Sequence, residues 1–285
     1  MKKTTAFTLA LITLLLVLPP LQNAEAKSRP IHYFEENEPR YEAFQNKNPG
    51  IPYNEMLAYV NANVDKGFYN GVETALNPHS IRVLVNKNFA LPAGYEPRDL
   101  VTFLGGHRMR GEAAERLLEM RTEMLSLGYR MEVIATYRSY WTQSNTYGNA
   151  VSNFGTANAE VSFARPGHSE HQTGLAVDLL HRGGFQYMQN ADFEKTSEFE
   201  WLKENAHRYG FILRYPQGYR DIHGFIFEPW HWRYVGVFTA TSMHNEGIAL
   251  LEEYYGKYLS TGVFRTMREG SRCASTMWQP LLFEM

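Results

Sequence analysis

The sequence predicts an α+β fold, and three observations carry that prediction. Helix-period and strand-period stretches are mixed along the chain without a repeating strand–helix–strand rhythm. Two of the helices are strongly marked at both ends. The apolar fraction of 44 % and aromatic fraction of 14 % suffice for a packed core, which sets a disordered chain aside.

From the N-terminus, Lys2 and Lys3 precede an apolar run from Ala6 to Leu18, which Pro19 and Pro20 end; Ala24-Glu25-Ala26 then offers small residues at a cleavage site. This is the layout of a secretory signal over residues 1–26. The run is short for a membrane span of about 20 residues, an uncleaved anchor being the alternative, and no Cys follows it to carry a lipid. The mature chain is therefore expected to be exported, to carry no membrane span and to lie outside the cytoplasmic membrane. Its one cysteine, Cys273, can form no intrachain disulfide, so the fold must be held by its core or by a metal. A net charge of −2 with interspersed signs lacks the basic footprint of a nucleic-acid binder.

Lys27 to Gly50, with Pro30, Pro39 and Pro49, reads as a linker or extended arm. Asn54 to Val64 is predicted as a short helix and Arg82 to Asn86 as a strand. In Glu112 to Leu127, Ala113, Leu117, Met120 and Met124 line one helical face, and Gly128 stands at the stop position. Met131 to Tyr137 reads as a strand. Ser197 to Tyr209 reads as a helix with Ser197 and Glu200 as its capping box and Gly210 as its stop. Phe211 to Tyr215 and Gly224 to Phe227 are predicted strands, and His244 to Tyr255 a last helix. Thr261 to Met285 has no periodicity to read.

Three stretches carry chemistry. In Ser169-Glu170-His171-Gln172-Thr173-Gly174-Leu175-Ala176-Val177-Asp178, Leu175, Val177 and Leu179 alternate with Gly174, Ala176 and Asp178. Asp178 thus shares a sheet face with two residues that have almost no side chain, which leaves room for something other than protein. A carboxylate there needs a partner, and His171 is close enough to bend back toward it. The second stretch is Phe227-Glu228-Pro229-Trp230-His231-Trp232. Glu228 and His231 would face opposite sides of one ideal strand, so a kink at Pro229 is needed to turn both toward one site. A catalytic zinc takes three protein ligands and keeps one position open. His171, Asp178 and His231 fill that description and leave Glu228 as a carboxylate beside it, fit to move a proton between water and a leaving amine. In the third stretch, Thr136-Tyr137-Arg138-Ser139-Tyr140-Trp141-Thr142-Gln143, Arg138 can hold a substrate carboxylate or steady a developing oxyanion. His168 is the spare metal ligand, His181 and His223 are read as ordinary surface residues, and Trp230 and Trp232 as core or cleft wall.

In order and in detail these stretches resemble VanY-type D-alanyl-D-alanine carboxypeptidases, zinc peptidases of the superfamily that includes lysostaphin-like enzymes and hedgehog domains. That pattern runs Tyr-Arg-Ser, then Ser-x-His-x-x-Gly-x-Ala-x-Asp, then Glu-x-x-His, here Tyr137 to Ser139, Ser169 to Asp178 and Glu228 to His231. Leu84-Val85-Asn86-Lys87, Tyr209-Gly210-Phe211 and Leu251-Glu252-Glu253-Tyr254 are similar as well. The resemblance implies a small, mostly antiparallel sheet flanked by helices, and zinc on His171, Asp178 and His231 with Glu228 as the base. It further implies that Arg138, Gln143 and Ser169 hold a terminal D-alanine of a peptidoglycan stem peptide. The resemblance covers the peptidase domain at 80–258; outside it the expected layout is a signal at 1–26, an N-terminal arm with a short helix at 27–79 and a tail of unassigned role at 259–285. Removal of D-alanine by a D,D-carboxypeptidase is the leading expectation. An L,D-carboxypeptidase on tetrapeptide stems, a peptidoglycan endopeptidase and a non-catalytic wall-binding module are the alternatives.

Overall fold

The computed structural model describes residues 33–181 and 193–260. The expected signal, the tail beyond Ser260 and Cys273 lie outside the described residues. At the centre is a four-stranded antiparallel sheet in the order β5 (Met131–Ala135), β6 (Ala176–His181), β8 (His231–Tyr234) and β7 (Phe211–Leu213). Leu175, just before β6, and Val177 and Leu179 on one face of it enter the core, as their alternation requires. The core is completed by α3 (Gly111–Ser126), whose Ala113, Leu117, Met120 and Met124 are all buried, and by Phe199 and Leu202 of α6 (Ser197–Asn205). A hairpin of β3 (Leu100–Phe103) and β4 (His107–Arg110) leads directly into α3.

Two helices that pack on each other follow β5: α4 (Tyr140–Phe154), capped by Ser139, whose Oγ accepts from Thr142 N at 3.2 Å, and α5 (Thr156–Ser162). A two-residue parallel pair joins β1 (Glu73–Thr74) to β2 (Phe89–Ala90). Among the described residues no helix is long and apolar enough to cross a membrane.

The structure corrects several expectations. Within the expected linker lies a helix, α1 (Glu38–Lys47). Pro39 sits in its first turn, where a missing N–H costs nothing, so the proline starts a helix instead of breaking one. α1 packs with α2 (Tyr53–Asn61) around a small core of Tyr41, Met56, Leu57 and Val60. Arg82 to Asn86 is not a strand, although Val83 to Asn86 are buried; the Val83 carbonyl is taken by the Arg233 guanidinium at 2.7 Å rather than by a ladder partner. Gly224 to Phe227 is likewise not a strand, because Ile226 N bonds Val161 O of α5 at 2.9 Å. The cap of α6 is Thr196 rather than Ser197, and its last turn tightens to a 3₁₀ helix before Gly210. The expected last helix is two: α8 (Val237–Glu246) and α9 (Leu251–Tyr254), separated by Gly247 at φ 68°, a conformation that ends a helix. A four-residue helix, α7 (Arg220–His223), stands between β7 and β8.

Candidate metal centre and substrate cleft

Three strands and one turn place the polar side chains. Asp178 and His231 are directly opposed across β6 and β8, so the pairing register alone brings a carboxylate and an imidazole together. On its other side Asp178 pairs with Ala135, beyond a register shift that bends the end of β5 over the site. That bent end clasps the 3₁₀ turn Glu170–Thr173. Arg138 N donates to His171 O at 3.1 Å, and the His171 Nδ1 lies 2.6 Å from Thr136 O. The turn closes at Gly174, φ 67°. The space beside Gly174 is filled by Leu100 and Arg110, which a Cβ there would strike, so its small size serves the hairpin and not the metal residues. β8 starts only at His231; the chain turns before it, with His231 N bonded to Glu228 O at 3.1 Å, and this is the kink expected at Pro229.

His171, Asp178 and His231 form a buried cluster whose ligand atoms lie within 4.8 Å of one another. A carbonyl can only accept, so the His171 Nδ1 carries the proton and its Nε2 lone pair points at Asp178 Oδ2, 3.3 Å away. His231 Nδ1 is 2.9 Å from Asp178 Oδ1. Tetrahedral zinc with bonds of about 2.0–2.1 Å holds its ligand atoms about 3.3 Å apart, so donor type and spacing both fit zinc. Burial alone would raise Asp178, but the two imidazoles outweigh it and hold its carboxyl well below the usual range. Burial pushes His171 down, keeping it neutral as a ligand must be. For His231 burial is outweighed by hydrogen bonds to Asp178 and Glu170, which push it up to about 9; a cation at this spot takes over the role of that proton.

Beside the cluster, Glu228 is 6 % exposed. Burial, with the charges of Asp178 and Glu170 adding to it and those of His231 and Arg138 opposing it, pushes its carboxyl up to about 8. The residues open onto a cleft of about 710 Å³ whose lining includes Arg138, Gln143 and Ser169 together with Phe154, Phe163 and Trp230. Arg138 Nη1 donates to Gln143 Oε1 at 2.7 Å, and Gln143 Nε2 donates to Ala164 O at 2.7 Å. The amide thereby fixes the guanidinium at the cleft wall.

All seven residues singled out in the sequence thus line one cleft. The spare ligand does not join the cluster: His168 Nδ1 is bonded to Asn86 O at 2.8 Å and its ring lies edge-on to Tyr69. His223 is not the surface residue expected but is buried, its ring held between Phe225 N and Pro216 O, and Trp232 is in the core while Trp230 is cleft wall. Sequence reasoning passed over Glu170, whose carboxylate meets His231 on one side and two arginines, Arg214 and Arg233, on the other. Its signal was there to find: each arginine stands among aromatic strand residues, where a free charge would not be tolerated.

Comparison with known proteins agrees with this geometry. Residues 106–237 match the model of the VanY family, described as D-alanyl-D-alanine carboxypeptidase. The putative carboxypeptidase YodJ of Bacillus subtilis (strain 168) is 41 % identical over 198 residues, 66 % of this chain and 71 % of that protein. Among solved structures, the LD-carboxypeptidase LdcB is 40 % identical with a TM-score of 0.60, covering 66 % of this chain and 91 % of that one. A vancomycin-resistance D,D-pentapeptidase VanY, solved with Zn(II), is 33 % identical with a TM-score of 0.53, covering 61 % and 97 %. A mostly antiparallel sheet among helices, a buried His–Asp–His cluster that fits zinc, and relatives at this level lead to one conclusion: the chain is a carboxypeptidase belonging to the VanY family.

Proposed function

We propose that this chain is a zinc-dependent D,D-carboxypeptidase that removes the terminal D-alanine from peptidoglycan stem peptides, with His171, Asp178 and His231 holding the metal. The observation that carries the reading is that this cluster, buried Glu228 and the pinned guanidinium of Arg138 line one cleft. Zinc, when bound, supplies a Lewis acid that polarises the scissile carbonyl and acidifies water.

The protein's own groups do the rest. Arg138, oriented by Gln143, takes the free carboxylate of the last residue through charge-assisted hydrogen bonds, which selects a chain that ends there. Ser169 offers its hydroxyl beside it. Glu228 accepts a proton from the attacking water and passes it to the amine as the amide C–N bond breaks. The hydroxyl stays on the shortened peptide and D-alanine leaves with a neutralised amine. Low exposure of Glu228 keeps bulk water from competing for that proton.

The same reading places residues 1–26 as a cleaved export signal. The apolar run Ala6–Leu18, the Ala24-Glu25-Ala26 site and a substrate found outside the cytoplasmic membrane support it.

A second reading, L,D-carboxypeptidase, is favoured by the 40 % identity to LdcB. One experiment separates the two: free D-alanine released by the purified mature protein from pentapeptide and from tetrapeptide stems, each with and without chelator. Release from the pentapeptide alone, abolished by chelator, establishes the D,D reading. Release from the tetrapeptide alone replaces it with the L,D reading, and chelator-resistant release sinks the metal assignment.

A further inference from the structure

Two stretches singled out in the sequence, Leu84 to Lys87 and Leu251 to Tyr254, have no part in the reaction above. Both nevertheless feed one buried chain of charges. Asn86 Nδ2 donates to Glu252 Oε1 at 3.0 Å, and Arg214 grips Glu252 with two bonds of 2.9 and 2.7 Å. Arg214 Nε then donates to Glu170 Oε1 at 2.8 Å, and Arg233 Nη1 donates to the same oxygen at 2.7 Å. Arg233 is itself anchored on the carbonyls of Ile81 and Val83. Glu170, Arg214, Arg233 and Glu252 are all 0–1 % exposed.

A buried, charge-balanced network of this kind adds little net stability over apolar packing of equal volume, so its geometry asks for another reason. Both arginines hold Oε1 of Glu170, which leaves Oε2 for one partner: His231 Nε2, at 3.3 Å. The His231 ring therefore has a carboxylate at each edge, Asp178 at Nδ1 and Glu170 at Nε2. A neutral imidazole carries one proton. On Nδ1 it would occupy the atom that faces Asp178 and turn a lone pair onto Glu170. On Nε2 it bonds Glu170 and frees Nδ1 toward the cluster.

We propose that Glu170 is a positioning residue for the metal: pinned through one oxygen by Arg214 and Arg233, it accepts the Nε2–H of His231 with the other and so presents Nδ1 as the ligating atom. Asn86 and Glu252 keep Arg214, and through it Glu170, in place. The inference rests on His171, Asp178 and His231 being the metal residues.

Glu170→Gln is the discriminating variant. The two arginines claim its carbonyl oxygen, so its NH₂ faces His231 and drives the proton onto Nδ1. Zinc affinity, measured by competition with a chromophoric chelator, is expected to weaken about 10–100-fold. His231→Ala is measured alongside. If His231→Ala loses zinc while Glu170→Gln holds it within about threefold of wild type, positioning by Glu170 is refuted and the metal assignment stands. If His231→Ala keeps zinc, the metal assignment itself fails. A merely structural Glu170 would lower the unfolding midpoint of the variant and leave zinc affinity unchanged. Should the variant not fold, nitrogen-15 NMR of histidine-labelled, zinc-loaded wild type decides: a proton on His231 Nε2 upholds the proposal, and one on Nδ1 overturns it.

Discussion

Glu228→Gln removes a proton acceptor while keeping the shape of a side chain that is 6 % exposed. Without a cation its carboxyl is pushed up to about 8, by burial first, so near neutral pH much of it carries a proton and the amide replaces it closely. A bound divalent cation beside it draws that acidity back, which lets the carboxylate act as a base at working pH. Loss of a positioned general base costs about 10²–10⁴ in rate, equivalent to about 3–5 kcal/mol of transition-state stabilisation. The assay is steady-state release of D-alanine with zinc content measured on the same preparation. We expect kcat to fall by that factor, zinc stoichiometry and KM to stay near wild type, and the acid limb of the pH–rate profile to vanish with the base. Turnover within about tenfold of wild type would refute the base assignment. Loss of zinc would show that Glu228 is a ligand.

Three further outcomes are expected. Arg138→Met should lower kcat/KM by about 10²-fold, the worth of two charge-assisted hydrogen bonds at about 1.5 kcal/mol each, mainly through KM; substrates with an amidated C-terminus should be insensitive to the change. His223 is buried with Nδ1 accepting from Phe225 N at 3.2 Å, and burial depresses it from 6.5 to about 4. The unfolded chain then binds the extra proton first, so this group's contribution is full above pH 6.5 and is lost as pH falls toward about 4. At about 1.4 kcal/mol per pH unit the loss is about 3 kcal/mol, and urea unfolding of His223→Gln should show a pH dependence shallower by that amount. Gly256→Ala would drive a Cβ into the Ala58 carbonyl, where α2 meets the helical turn Tyr255–Leu259, and should cost about 1–3 kcal/mol in the same assay. An unchanged midpoint would mean that α2 does not pack there.

Much of the site was legible in the sequence because its residues lie in short, ordered motifs. Asp178 belongs to a β6 whose alternation is plain, and Glu228 and His231 flank a proline that forces the necessary turn. α3 was equally plain, since its apolar residues keep helical spacing and a glycine ends it. α1 was hidden because only Tyr41 on it is buried and its proline resembles a breaker. The apolar run at Val83 to Val85 imitates a strand, yet its burial is among side chains, with an arginine serving its carbonyl. The helices α4 and α5 went unread: α4 buries only Gln143 and Ala150 and α5 only Ala159, too few to print a period. Glu170, Arg214, Arg233 and Glu252 went unnoticed for a related reason. Charge is ordinarily a mark of surface, and only the fold shows that these four are spent on one another.

The central claim is that His171, Asp178 and His231 hold a zinc ion with Glu228 beside it. Crystals of the zinc-loaded protein, measured on both sides of the zinc absorption edge, test it most directly. The account predicts one strong anomalous peak within bonding distance of His171 Nε2, an Asp178 oxygen and His231 Nδ1, with Glu228 outside the ligand shell. A peak that lies elsewhere, at His168 for instance, or one ligated through His231 Nε2, would contradict it.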